Sequence, residues 1–250
     1  MSSLLSTEFR RFLARELLLV LVTAALAGIA VGALIAAAKS QPPHQLALRA
    51  LPSWIQGVSF ILAVGGLVLG ASSVGAEWHA GTVTTLLTWE PRRLRVLGAK
   101  AVACMIAVFV IAIGLLIVLA LAMTLATATR GITSGLPAAW LGSVVGSILR
   151  TAAATTFMSV LGLSLAMIGR NTAAALGVTF GYLAIGEVLI RELRPGWQKW
   201  LLGDNLGLLI TGRAEGFAGR SLGGAALVLL LYAGILLLAA AASFRARDVT

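Results

Sequence analysis

Side chains that commonly do chemistry are scarce in this chain and lie far apart. His44 and His79 are its two histidines, with no HExxH pattern or carboxylate constellation around either, so a catalytic metal is not expected. Cys104 is the single cysteine, which excludes an internal disulfide and a multi-cysteine metal site and reads as a small buried apolar side chain. An intramembrane enzyme would need paired carboxylates, a His/Cys cluster or a nucleophile with its base, and none is spelled out. No GxxxxGKS/T run occurs, so any ATP hydrolysis that drives this protein belongs to another chain. The ionisable residues that stand out instead are Arg150 and Glu187, which fall within or beside long apolar runs. A charge in lipid costs several kcal/mol, so each is by default a functional candidate.

The stretch that must be positioned most carefully is Gly75–Lys100, GAEWHAGTVTTLLTWEPRRLRVLGAK, a patterned polar interruption in an oily chain. Val83, Leu86, Leu87 and Glu90 fall at i, i+3, i+4 and i+7, which predicts a two-turn helix over Thr82–Trp89. Thr84, Thr85 and Thr88 take its other side. Gly81 breaks the chain before it and Pro91 ends it, because proline has no N–H to donate and disfavours helix in the residue ahead of it. Arg92, Arg93, Arg95 and Lys100 follow with no acid among them and point to the cytoplasmic side. Two readings stay open: an interfacial helix among lipid headgroups, or a contact helix that a soluble partner pushes, for which three threonines make a small uncharged face.

Glu77-xxx-Gly81-Thr82-xxx-Leu86-Leu87-xxx-Pro91 followed by Lys100 resembles the segment after the second span of ABC-2 type ABC transporter permeases, the transmembrane subunits of type V ABC exporters. The likeness covers about two dozen residues; the remainder agrees by layout. It implies that Thr82–Trp89 is a coupling helix seated in a cleft of a separate ATP-binding cassette subunit, which carries the ATP and magnesium, with no cofactor on this chain. Glu77 would then anchor the end of the second span, Gly81 and Pro91 would fix the helix ends, and Trp78, Thr82, Thr85, Leu86 and Trp89 would belong to the coupling contact. The resemblance also implies a second permease copy or paralogue, and export of a hydrophobic or amphipathic substrate such as a drug, antibiotic, peptide or lipid.

Composition sets the class. With 59% hydrophobic and 11% charged residues over 250 positions, the chain is far more apolar than a soluble domain, in which about a quarter of residues are charged. The expected fold is an all-α integral membrane permease domain over residues 1–250. Its net charge of +10 comes from basic residues scattered through loops without interleaved aromatics, which argues against nucleic acid and for anionic lipid headgroups.

The apolar runs give six spans with their connectors. Residues 2–15 form an amphipathic interfacial helix with Leu5, Phe9, Phe12 and Leu13 on one face and Glu8, Arg11 and Arg15 on the other. The spans are 17–38, 55–74, 102–126, 137–169, 172–190 and 222–244, with a coupling segment at 77–98. The first is too long for a signal peptide and reads as a retained anchor. Residues 191–221, rich in Trp and Leu, cannot be a plain loop and read as short external re-entrant helices. The run 137–169 would make roughly 50 Å of helix against a core of about 30 Å, so it either begins in the outer interface near Trp140 or tilts with Arg150 facing protein. Arg150 then works in transport, snorkels to headgroups, or pairs structurally. Glu187 lies one turn before Arg191, and a local i, i+4 pair is preferred over a proton-carrying role.

Both termini are expected in the cytoplasm of a bacterial cell membrane. Ten basic residues then lie inside (Arg10, Arg11, Arg15, Arg92, Arg93, Arg95, Lys100, Arg170, Arg245, Arg247) and eight outside, with Arg150 in a span. The dense cluster after Pro91 carries more of that vote than the total. The second and third spans are joined by a long segment but the fourth and fifth by two residues, so inverted halves are not visible. That lowers the alternative, a stand-alone channel or secondary carrier with Arg150 and Glu187 lining its path.

Overall fold

A computed structural model describes residues 2–42, 45–81, 92–213 and 220–246. The described residues are helical and contain no strand, only an isolated parallel bridge between Ala47 and Ile132. Six of the helices are long and apolar enough to cross a membrane, which makes this a multi-pass membrane protein. In chain order they are α2 (Glu16–Lys39), α3 (Leu48–His79), α4 (Arg93–Arg130), α5 (Trp140–Gly169), α6 (Thr172–Leu193) and α8 (Leu222–Ala246). A short α1 (Ser2–Leu13) precedes them and α7 (Leu202–Thr211) lies between α6 and α8.

The core sits between α3 and α5. Of the most apolar stretch in each helix, 67% is buried in α5 and 56% in α3, against 11% in α2, so α2 is an outer helix. The close approach is made by missing side chains. A Cβ on Gly66 would come 2.5 Å from the Thr155 carbonyl oxygen, one on Gly70 would collide with the Ser159 carbonyl, and one on Gly162 with that of Leu67. This is small-residue packing of the kind that lets membrane helices approach backbone to backbone. Gly28, Gly32, Gly142, Gly177 and Gly181, which form GxxxG pairs in the sequence, have open space around them within the chain.

Several boundaries differ from the sequence expectation. The third span was expected from residue 102, yet α4 begins at Arg93 and runs 38 residues. Nothing between Pro91 and Gly131 stops a helix firmly, and the first turns bury Val96, Leu97, Ala99 and Lys100 rather than leaving them in water. The second span likewise continues to His79, four residues beyond Gly75, with a break at Val58 between Leu51–Gly57 and Ser59–His79. Between α5 and α6, Arg170 adopts a left-handed backbone (φ 54°) and the Asn171 Oδ1 accepts from the Ala173 N–H at 2.7 Å. One residue thus reverses the chain and the next caps the new helix.

The region expected to hold short external helices contains a 3-10 turn, Pro195–Trp200, followed by α7. At the end of the bundle that carries α1, Phe12, Val74, Leu97 and Phe244 share one buried cluster, so the first and last described helices meet there. Thr82–Trp89, Glu90, Pro91, His44 and Arg247 lie outside the described residues.

Candidate functional site

The end of α3 is the most heavily fastened point of the bundle. Its last turns, Ser72–Glu77, receive charged side chains from two other elements, the bend between α1 and α2 and helix α4. Lys100 from α4 places its Nζ 2.7 Å from Glu77 Oε1 and 2.7 Å from Glu8 Oε2 of α1. Arg15, in the bend between α1 and α2, reaches Glu77 Oε1 at 3.2 Å and donates to the Ser72 and Ser73 carbonyls at 2.8 and 2.9 Å. Arg11 adds a longer contact to Glu8 at 3.4 Å.

Burial gives this cluster its weight. The Lys100 side chain is 6% exposed and Glu8 8%, with Glu77 at 19% and Arg15 at 22%. Two cations and two anions held this way tolerate burial because each has a partner. Removing one partner strands another in a low-dielectric setting at a cost of about 3–5 kcal/mol.

Here the sequence reading is corrected. Glu8 and Arg15 were assigned to the polar face of an interfacial helix, and Lys100 to a basic cluster on the cytoplasmic side. They turn inward instead, since together with Glu77 they neutralise one another, whereas headgroups offer Arg15 no carbonyl as well placed as those of Ser72 and Ser73. The available signal was a lone acid, Glu8, among the bases of α1, and a lysine embedded in the Ala99–Ala103 run.

The remaining assigned residues divide. Glu77 is in the cluster. Trp78 has its ring 4.4 Å from the Arg170 guanidinium and edge-on to Phe244 at 6.2 Å, so it ties α3 to the α5–α6 turn and to the end of α8. Gly81 has φ +67° and ends the helix in the left-handed conformation that glycine adopts without strain. Thr82, Thr85, Leu86, Trp89 and Pro91 fall outside the described residues.

Arg150 and Glu187 are not brought to this cluster. Both meet α7, at opposite ends. The Glu187 Oε1 accepts from the Gly203 N–H at 2.7 Å, and the side chain is buried. The expected pair with Arg191 does not form; Arg191 binds Asp204 Oδ1 at 2.5 Å. An unsatisfied helix N-terminus within reach of a buried carboxylate outcompetes an exposed i, i+4 pair worth a few tenths of a kcal/mol. A π-helical turn, Tyr182–Gly186, directly precedes Glu187. Arg150 lies against Gly212, the left-handed residue after α7, where a Cβ would come 2.7 Å from the guanidinium carbon.

Among the described residues no group of three His, Cys, Asp or Glu side chains is placed to hold a metal ion. The free thiol of Cys104 is buried in the α3–α4–α5 core cluster.

A family model described as "Protein of unknown function (DUF2705)" matches residues 19–250. That match spans nearly the whole chain, so the chain belongs to this family. Comparison with curated proteins finds no match.

Proposed function

We propose that this DUF2705 chain is the membrane-spanning permease subunit of an ATP-driven exporter of the ABC-2 type, powered by a separate ATP-binding cassette subunit. The observation that carries the reading is the buried Glu8–Lys100–Glu77–Arg15 cluster, which fastens the chain immediately before the Thr82–Trp89 segment. A force applied by a partner to residues 82–91 enters the bundle at Gly81. From there it is passed to α1, α3 and α4 at once, because all three share charges that are costly to separate. Trp78, packed between Arg170 and Phe244, extends the same push to α5, α6 and α8.

In this mechanism ATP closes the partner dimer, the Thr82–Trp89 helix moves with it, and two facing permease copies or paralogues switch from inward-open to outward-open. The cargo is a hydrophobic or amphipathic molecule, the chain itself hydrolyses nothing, and the protein resides in a bacterial cell membrane with both termini cytoplasmic. Arg150 and Glu187 both engage α7, which favours a structural role for them over the lining of an open channel.

Affinity purification of the full chain from its native membrane is the test. One copy of an ATP-binding chain per permease copy is the expected result. Replacing Thr85 or Leu86 with a large charged residue should lower transport-coupled ATP hydrolysis while leaving insertion intact. Recovery of the chain without a nucleotide-hydrolysing companion, or coupling that survives every such replacement, overturns the assignment.

A further inference from the structure

Helix α7 is ten residues long, about 15 Å. Each of its ends meets a charge of the sign that suits it. At the N-terminal end, where the free N–H groups carry partial positive charge, stands the buried Glu187 carboxylate from α6. At the C-terminal end, where the carbonyls carry partial negative charge, the Arg150 guanidinium of α5 packs against Gly212. Its hydrogen bond goes to Ser147 Oγ of its own helix at 3.4 Å and its buried Nε has no partner among the described residues, so it meets α7 by packing and charge alone.

Both contact points are glycines, and for a steric reason. A Cβ on Gly203 would run into Glu187 Oε2, and one on Gly212 would press on Arg150 Cζ, Nε and Nη1. Lesser ties add to the two grips. Gln56 Nε2 donates to the Thr211 carbonyl at 3.4 Å, Asp204 holds Arg191, and Arg220 at the start of α8 donates to Asn205 Oδ1.

The place of α7 in the bundle gives these grips a purpose. Helices α5 and α6 are joined at one end by the Arg170–Asn171 turn, and α5 packs along the Thr172–Gly181 half of α6. Farther along, α7 packs against α5 and α8, and its N-terminal end meets Glu187 of α6. Arg150 is roughly 29 Å from Gly169 along α5 and Glu187 roughly 22 Å from Thr172 along α6, at 1.5 Å per residue. The two contacts therefore differ in depth by about 6 Å and lie at either end of about 14 Å of helix, from Gly203 to Gly212. The apolar face of α7, with Leu202, Leu206 and Leu209, packs into one cluster with Phe157 of α5, Tyr182 of α6 and Leu229 of α8.

We propose that α7 is a dipole-held wedge: it fixes the separation of α5 and α6 away from their turn, and releasing the Glu187 and Arg150 grips frees the helix as a unit without loosening the α3–α5 seam. The inference stands on this geometry alone and is independent of the transport reading.

Hydrogen–deuterium exchange on the full chain in lipid nanodiscs tests it, comparing wild type with Glu187→Gln, Arg150→Gln and the double variant. Each single change should speed exchange across residues 202–211 by about twofold to thirtyfold, the range expected for a charge at an exposed to partly buried helix end. The double variant should multiply the two effects, and peptides from 59–79 should keep their wild-type rates. Wild-type exchange at 202–211 in the double variant overturns the proposal, as does uniform acceleration through every span. If those variants do not yield folded protein, Gly203→Ala, which sets a Cβ against Glu187 Oε2, must produce the same local acceleration; an unchanged rate there overturns it equally.

Discussion

The two ends of this helical bundle are fastened by different physics. At the end carrying α1, four full charges neutralise one another in a buried cluster joining α1, α3, α4 and the bend before α2. At the other, single charges from α5 and α6 face the partial charges of one short helix. Whole charges in a dry site are worth several kcal/mol and fail abruptly when one is removed. A charge at a helix end is worth about 0.3–1 kcal/mol, up to about 2 when partly buried. The first end is thus held by the stronger interactions and the second by the weaker.

That contrast is sharpest at Lys100. Lys100→Met removes the 2.7 Å partner that Glu8 and Glu77 share, and should destabilise the protein by about 3–5 kcal/mol in thermal unfolding followed by intrinsic fluorescence. A loss under about 1 kcal/mol would erase the distinction between the ends. Gly70→Val probes the seam that both ends share, where a side chain meets the Ser159 backbone; overpacking there should cost about 1–3 kcal/mol in the same assay.

Arg15→Lys should cost about 1–2 kcal/mol, because an ammonium cannot reproduce the fork that reaches the Ser72 and Ser73 carbonyls and Glu77 together. Glu187→Gln is expected to cost about 1 kcal/mol, well below Lys100→Met; equal losses from the two would break the comparison. Smallest is Arg191→Ala, which removes an exposed pair with Asp204 and should shift stability by at most about 1 kcal/mol, with the shift shrinking further in high salt.

The membrane-spanning helices were legible because a bilayer demands long apolar runs, and composition alone displays them. The helix ends were not, since α4 keeps its helical hydrogen bonding through Arg93–Lys100 once partners absorb those charges. The same limit hid the cluster. Glu77 and Lys100 were visible as members of one motif, but Glu8 and Arg15 lie 92 and 62 positions from their partners, a separation that periodicity cannot report.

Arg150 and Glu187 were picked out correctly as ionisable residues needing a reason to be buried. Their common partner, α7, escaped notice because a backbone N–H and a helix C-terminus have no letter in the sequence. The core seam was also hidden: several GxxxG glycines, Gly28, Gly32, Gly177 and Gly181, face open space, whereas the Gly66–Gly70 pair of α3 and the isolated Gly162 of α5 carry the packing, and spacing alone does not tell them apart.

Helix α4 is about 57 Å long, whereas the oily layer it crosses is about 30 Å thick. The helix exceeds that layer by about 27 Å, and at one tip Arg93 donates to the Phe244 carbonyl while Lys100 is locked to its neighbours. A rod of that proportion acts as a lever with its fulcrum in the bilayer. Rocking such a helix by about three degrees about a point in the bilayer would displace its tip by about 2 Å, and the ties to Glu8 and Phe244 would carry α1 and the end of α8 with it.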